Sequence, residues 1–216
     1  MGCLKVVENT AVSASGGAGV RARILQTARD LFYREGLRAI GVDRIVAESG
    51  VAKTSLYRWF PSKDDLIAAF LVEEERERWE SWDRNAARFS AASPLEELRG
   101  IFIGLERQIA SSTFRGCPFL NAVTELPDPA HPARAVCERA TMELRTRLLE
   151  LVTSIGVRNP QQVSDQLTLL VEGAFASGQL IGKQGPVTQL RVMAELLVRS
   201  QMNVVPLARQ DSLETA

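Results

Sequence analysis

Residues 50–66 read GVAKTSLYRWFPSKDDL, and the reading of this stretch decides the fold. Gly50 breaks the chain, KTSLYRWF has the composition of a short helix, and Pro61 ends it, because proline has no amide hydrogen to give. A helix this brief buries little, so the outward Lys53, Thr54, Ser55, Tyr57, Arg58 and Trp59 need a use other than core packing. Ser62 then serves as a cap by accepting from the amide of Asp65, and Asp64 and Asp65 suit the positive first turn of the next helix.

Working outward, Ile24, Leu25, Ala28, Leu31 and Phe32 in RARILQTARDLFYREGLRAI (21–40) form one face of a 3.6-period helix that Gly36 stops. VDRIVAES (42–49) predicts a second, short helix with Ile45 and Val46 inward. Two short helices divided by a glycine turn are a helix-turn-helix, with Val51 returning to the core beside Ile45 and Leu56. The side chains on the second helix suit a major groove. Lys53 and Arg58 donate to guanine O6 and N7, the hydroxyls of Thr54 and Ser55 donate or accept, and the Thr54 methyl can meet thymine. Tyr57 and Trp59 reach phosphates through O–H and N–H, and Lys63 adds charge at a helix N-terminus.

Whole-chain charge names no partner, since 26 basic residues balance 26 acidic ones. Its distribution is less even: Arg21 to Lys63 holds nine basic residues against four acidic ones, which permits nucleic-acid binding. No apolar run approaches the roughly 20 residues that span a bilayer. The start, MGCLKVVENTAVSASGG, lacks a long apolar stretch and has Val6 where a myristoylation pattern needs Ser or Thr. Cys3, Cys117 and Cys137 are odd in number and lack metal-ligand spacing, and His131 is the single histidine. A metal and a cofactor are therefore not expected, and a reducing cytoplasm is the natural home.

The rest reads as all-α. Residues 1–19 read as a flexible tail, 20–65 as the three-helix unit, 66–205 as a larger helical body and 206–216 as a second tail. A long helix to about residue 89 buries Leu66, Ile67, Phe70 and Leu71 at one end and Trp79, Trp82, Ala86 and Phe89 at the other, which suits it to join two cores. Between them EEERER (73–78) reads as a solvated face. Further helices are expected at about 95–111, 118–126, 131–155, 160–182 and 187–203, with breaks at PDPAHP (127–132) and Asn159-Pro160.

The stretch GVDRIVAESGVAKTSLYRWFPSKDDL, preceded by ILQTARDLFYREGLRAI, resembles the DNA-binding domain of the TetR family of bacterial transcriptional regulators. The likeness covers about residues 21–67 and is strongest over G-V-x-K-x-x-L-Y-x-x-F-x-x-K-x-x-L. It implies a dimeric, ligand-responsive regulator, most simply a repressor on a palindromic double-stranded DNA operator. By position, Lys53, Thr54 and Arg58 would read bases with Ser55 close by, while Arg44, Tyr57, Trp59 and Lys63 would grip phosphates. Three positions depart from the family pattern. Ala52 stands where Ser often caps the recognition helix, at a loss of about 1 kcal/mol. Gly41 replaces a capping Thr or Ser, and Trp59 is bulkier than the usual Tyr or His.

In the family, the body supplies a ligand cavity and a dimer interface. For the homodimer, the last two long helices offer Leu167, Leu170, Val171, Ala174, Phe175 and Gly178 on one and Leu190, Met193, Leu197 and Val204 on the other, the alternative being an intrachain core. Pocket candidates for a small-molecule effector are Trp79, Trp82, Phe102, Leu105, Phe114, Cys117, Phe119, Asn121 and Phe175, with Glu125 a further polar group. His131, before Pro132, reads as a helix-start residue. Activation, ligand-independent DNA binding and an all-helical enzyme are the alternatives. The enzyme lacks a nucleophile motif, metal cluster or phosphate loop.

Overall fold

A computed structural model describes residues 11–202, with side chains from Ala18 onward. Among them the chain forms α1 (Ala11–Glu35), α2 (Val42–Ser49), α3 (Lys53–Trp59), α4 (Lys63–Ala87), α5 (Pro94–Ile109), α6 (Pro118–Glu125), α7 (Pro132–Ile155), α8 (Pro160–Ile181), a 3-10 turn (Pro186–Gln189) and α9 (Leu190–Gln201). No strand occurs among the described residues; Val157 and Met202 meet in an isolated bridge. Helix α1 begins at Ala11, inside the stretch expected to be tail. The C-terminal tail and Val204 lie outside the described residues.

Local chemistry explains the boundaries. Ser62 accepts from the Asp65 amide at 3.0 Å, and Ser93 accepts from Glu96 at 3.2 Å. Helices α5 to α8 each begin on proline, whose fixed φ suits the first helical position and whose missing amide hydrogen goes unmissed there. His131 caps α7, its Nδ1 accepting from the Ala133 amide at 3.1 Å. Gly50 ends α2 in the left-handed region at φ 65°, which sets the angle between α2 and α3.

Two apolar cores result. The first joins Ile24, Leu31 and Phe32 of α1 to Ile45, Leu56, Leu66 and Phe70, then continues into Phe119 and Ala122 of α6 and Val136, Cys137 and Ala140 of α7. It thus crosses the boundary expected near residue 65. The second gathers Leu98, Ile101 and Phe102 of α5 with Leu148 and Val152 of α7, Leu167 and Phe175 of α8 and Leu190, Ala194 and Val198 of α9. Helix α4 enters both, with Leu66 to Leu71 in the first and Ala86 in the second.

The charged middle of α4 is not simply solvated. Glu74 and Glu77 take the guanidinium of Arg29 on α1 at 2.6–3.0 Å, and Glu75 takes Arg139 of α7 at 2.5 Å. Arg78 turns over the Phe119 ring, and Arg76, more open to water, pairs along its own helix. The run lies between two neighbouring helices, so only part of it meets water. Burial pushes the Glu74 carboxyl above its ordinary value despite Arg29, while the hydrogen bond from Arg29 holds Glu77 below.

Candidate nucleic-acid interface and the cavity behind it

Helix α3 is held by Leu56, which is fully buried between Val51 and Phe60 in the first core. Burying a leucine contributes about 1.5–3 kcal/mol, enough to fix a seven-residue helix that has no side-chain cap at Ala52. Lys53, Thr54, Tyr57 and Arg58, spaced i, i+1, i+4 and i+5, then share one exposed face. Ser55 is half-buried at its edge. Trp59 is 38 % exposed and sits on the flank nearer Leu56.

Two of the cations hold carboxylates. Lys53 Nζ donates to Asp43 at 2.6 Å, which raises its pKa. Arg44 donates to Glu35 at 2.5 and 3.0 Å and to Glu48 at 2.9 Å, and is raised likewise, Glu35 first. Exposed pairs of this kind contribute about 0–1 kcal/mol, so a phosphate can displace them. Arg58 has no such pair among the described residues. Lys63 is half-buried, and burial lowers its pKa. The helix-turn-helix therefore shows a polar, cation-bearing face about one short helix wide.

Behind it, α4 to α8 surround a cavity of about 50 Å³. Trp82, Leu105, Cys117, Phe119 and Phe175 line it. The other expected pocket residues stand elsewhere. Trp79 lies under the Arg147 guanidinium at 4.4 Å and edge-on to Trp82 at 6.0 Å. Phe102 is wholly buried in the second core, and Phe114 packs edge-on to Phe175 at 5.6 Å. Asn121 donates to the Arg115 carbonyl at 2.9 Å and braces a loop. Sequence reasoning missed the polar lining: Arg78, Ser81 and Asn85 of α4, Gln108 of α5, Thr141 of α7 and Glu172 of α8. A signal existed, since Arg78, Trp82 and Asn85 recur at i, i+4 and i+7.

Residues 24–70 match the family model for bacterial regulatory proteins of the tetR family. A solved TetR-family transcriptional regulator from Streptomyces coelicolor is 32 % identical, with a TM-score of 0.78 over 86 % of this chain and 97 % of that one. The chain belongs to the TetR family of bacterial transcriptional regulators. It is also similar to the HTH-type transcriptional regulator YjdC of Escherichia coli (strain K12), 22 % identical over 83 % of this chain and 93 % of that protein. The HTH-type transcriptional repressor DrrR1 of Streptomyces coeruleorubidus is 25 % identical over 66 % of this chain and 46 % of that protein. These are regulators, not enzymes. Among the described residues no helix is long and apolar enough to cross a membrane, and no His, Cys, Asp and Glu cluster is placed to hold a metal ion.

Six of the residues expected on the dimer face of α8 and α9 are spent inside the chain. Leu167, Val171, Ala174, Phe175, Gly178 and Leu190 are buried within this one chain and serve its own core. A Cβ at Gly178 would collide with Ile109, so this glycine permits close packing inside the chain, against α5. Leu170 and Leu197 are half-buried and Met193 is exposed. The apolar groups left open are Leu169, Leu180 and Ile181 of α8, with Gly173 and Ala176 between them, and Val192, Met193 and Leu196 of α9. Leu169 is 69 % and Leu180 85 % exposed.

Helix α6 links the cavity to the DNA-binding unit. Its Phe119 lines the cavity, while at its far end Glu125 accepts from the Arg38 amide at 2.9 Å, beside the turn into α2. Just before it, the Tyr33 hydroxyl of α1 accepts from the Arg115 amide at 3.0 Å and donates to the Gly116 carbonyl at 3.1 Å. Glu125 is thus a tie between helices and does not line the cavity. Cys137 is buried, and burial raises its thiol to about 11, which keeps it protonated and unreactive near neutrality.

Proposed function

We propose that this regulator is a cytoplasmic, homodimeric repressor that binds a palindromic operator through α3 and releases it when a small molecule occupies the cavity. The exposed face of Lys53, Thr54, Tyr57 and Arg58 carries this reading: it does no packing, and its groups match base edges and phosphates. Lys53, Thr54, Ser55 and Arg58 read bases, and Arg44, Tyr57, Trp59 and Lys63 hold the backbone. The open apolar stripe on α8 and α9 meets the same stripe of a second copy. This isologous contact places two recognition helices about one DNA turn apart, roughly 34–36 Å. The name of the Streptomyces coeruleorubidus relative supports repression over activation.

An effector touching Phe119 bears on α6, and α6 is bonded to α1 and to the turn before α2. Arg29 ties α1 to the middle of α4 at the same time. A differential binding of about 1–3 kcal/mol between an operator-binding and a released conformation changes operator affinity severalfold to a hundredfold. Operator affinity measured by fluorescence anisotropy against salt tests the reading. A steep fall with salt, and release on adding the effector, are expected; salt-independent binding would reject it.

A further inference from the structure

Four arginines around the second core sit against carboxylates: Arg99 on Glu195, Arg145 on Asp165, Arg147 on Asp83 and Arg191 on Glu195. Arg78, half-buried and lining the cavity, does not. Among the described residues no carboxylate oxygen lies within 4.0 Å of its nitrogens. Its hydrogen bonds are two long ones, Nη1 to the Ala140 carbonyl and Nη2 to Cys117 Sγ, each at 3.5 Å. The guanidinium rests 4.2 Å from the centroid of the Phe119 ring. Glu74, one turn earlier, is engaged by Arg29. Three of the five N–H donors of Arg78 therefore have no protein partner among the described residues. On one side it faces the largely apolar cavity and on the other a groove with Glu74, Glu77 and Glu80, none of them within ion-pair distance. A cation drawn partly out of water without a counter-ion is unfavourable, and the natural relief is an anion carried in by the ligand.

The remaining walls describe the rest of that molecule. Trp82, Phe119 and Phe175 offer flat apolar surfaces, and Leu105 adds an aliphatic one. Glu172, the one carboxylate in the lining, pairs with no cation among the described residues and so can accept from a ligand donor. We infer that the effector is a hydroxylated aromatic carboxylate whose anion binds Arg78, whose ring lies between Trp82 and Phe119, and whose hydroxyl donates to Glu172. This rests on the reading of the cavity as the effector site.

The test is calorimetric titration of the full chain at pH 7 with three probes sharing one ring: 4-hydroxybenzoate, 4-hydroxybenzamide and 4-(aminomethyl)phenol. Charge-assisted pairing with Arg78 gives the acid an advantage of about tenfold or more over the amide. Arg78→Gln reduces that gap to about twofold, and Arg78→Lys keeps most of it. The wild-type comparison stands without any variant, should Arg78→Gln fold poorly. Equal binding of acid and amide would overturn the anion assignment and leave the cavity as an effector site. Tighter binding of the amine would overturn it too, making Glu172 the counter-ion. If none of the three binds while the protein still holds its operator, the inference falls, whereas the effector-site reading falls only if cavity-filling substitutions leave release unchanged.

Discussion

Helix α3 has seven residues and buries one of them, Leu56, whereas α8 has 22 and buries eight. What each leaves in water differs in kind. The open face of α3 carries Lys53, Thr54, Tyr57 and Arg58; that of α8 carries Leu169, Gly173, Ala176 and Leu180. Neither face is needed by its own chain. A polar, cationic face suits phosphates and base edges, and an apolar one suits another apolar face, so on the proposed function the two surfaces serve two different partners.

Leu56→Ala should break the α3 side of this comparison most severely. Removing the one buried side chain of α3 costs about 2–5 kcal/mol in urea denaturation and abolishes operator binding, while sedimentation still shows a dimer. Retained DNA binding would mean that α3 is anchored some other way. The α8 side is probed by Leu169→Asp combined with Leu180→Asp, which should give a folded monomer at micromolar concentration. A dimer that survives would move the interface away from this stripe. Arg58→Ala has a smaller effect, a loss of about 1–3 kcal/mol in base discrimination, read from affinities for operators altered one base pair at a time. Ala52→Ser is the mildest and works in the opposite direction. It supplies the missing cap and should raise stability by up to about 1 kcal/mol in the same denaturation assay.

The N-terminal unit was legible because its signals are local. Gly50, Pro61 and the spacing of Ile24 to Phe32 mark turn, stop and face within a few residues, and α2 and α3 fall where those signals put them. The stripe on α8 was not legible in the same way. Leu167, Val171 and Phe175 alternate with Leu169, Gly173 and Ala176 on a helix that is apolar nearly all round, and periodicity does not say which stripe faces its own chain. Packing against α5 and α7 decided it. Arg78 was hidden for another reason: within EEERER its neighbours in sequence suggest water, while its neighbours in space are Phe119 and Cys117, brought there by α6.

Selection of bound duplexes from random DNA by the full-length protein tests the central claim most directly. The expected result is an inverted repeat whose half-sites are centred about one turn apart, roughly 10–10.5 base pairs, or slightly more, with the preference relaxed at defined positions by Arg58→Ala. Recovery of no common sequence, or of a single unpaired half-site, would contradict it.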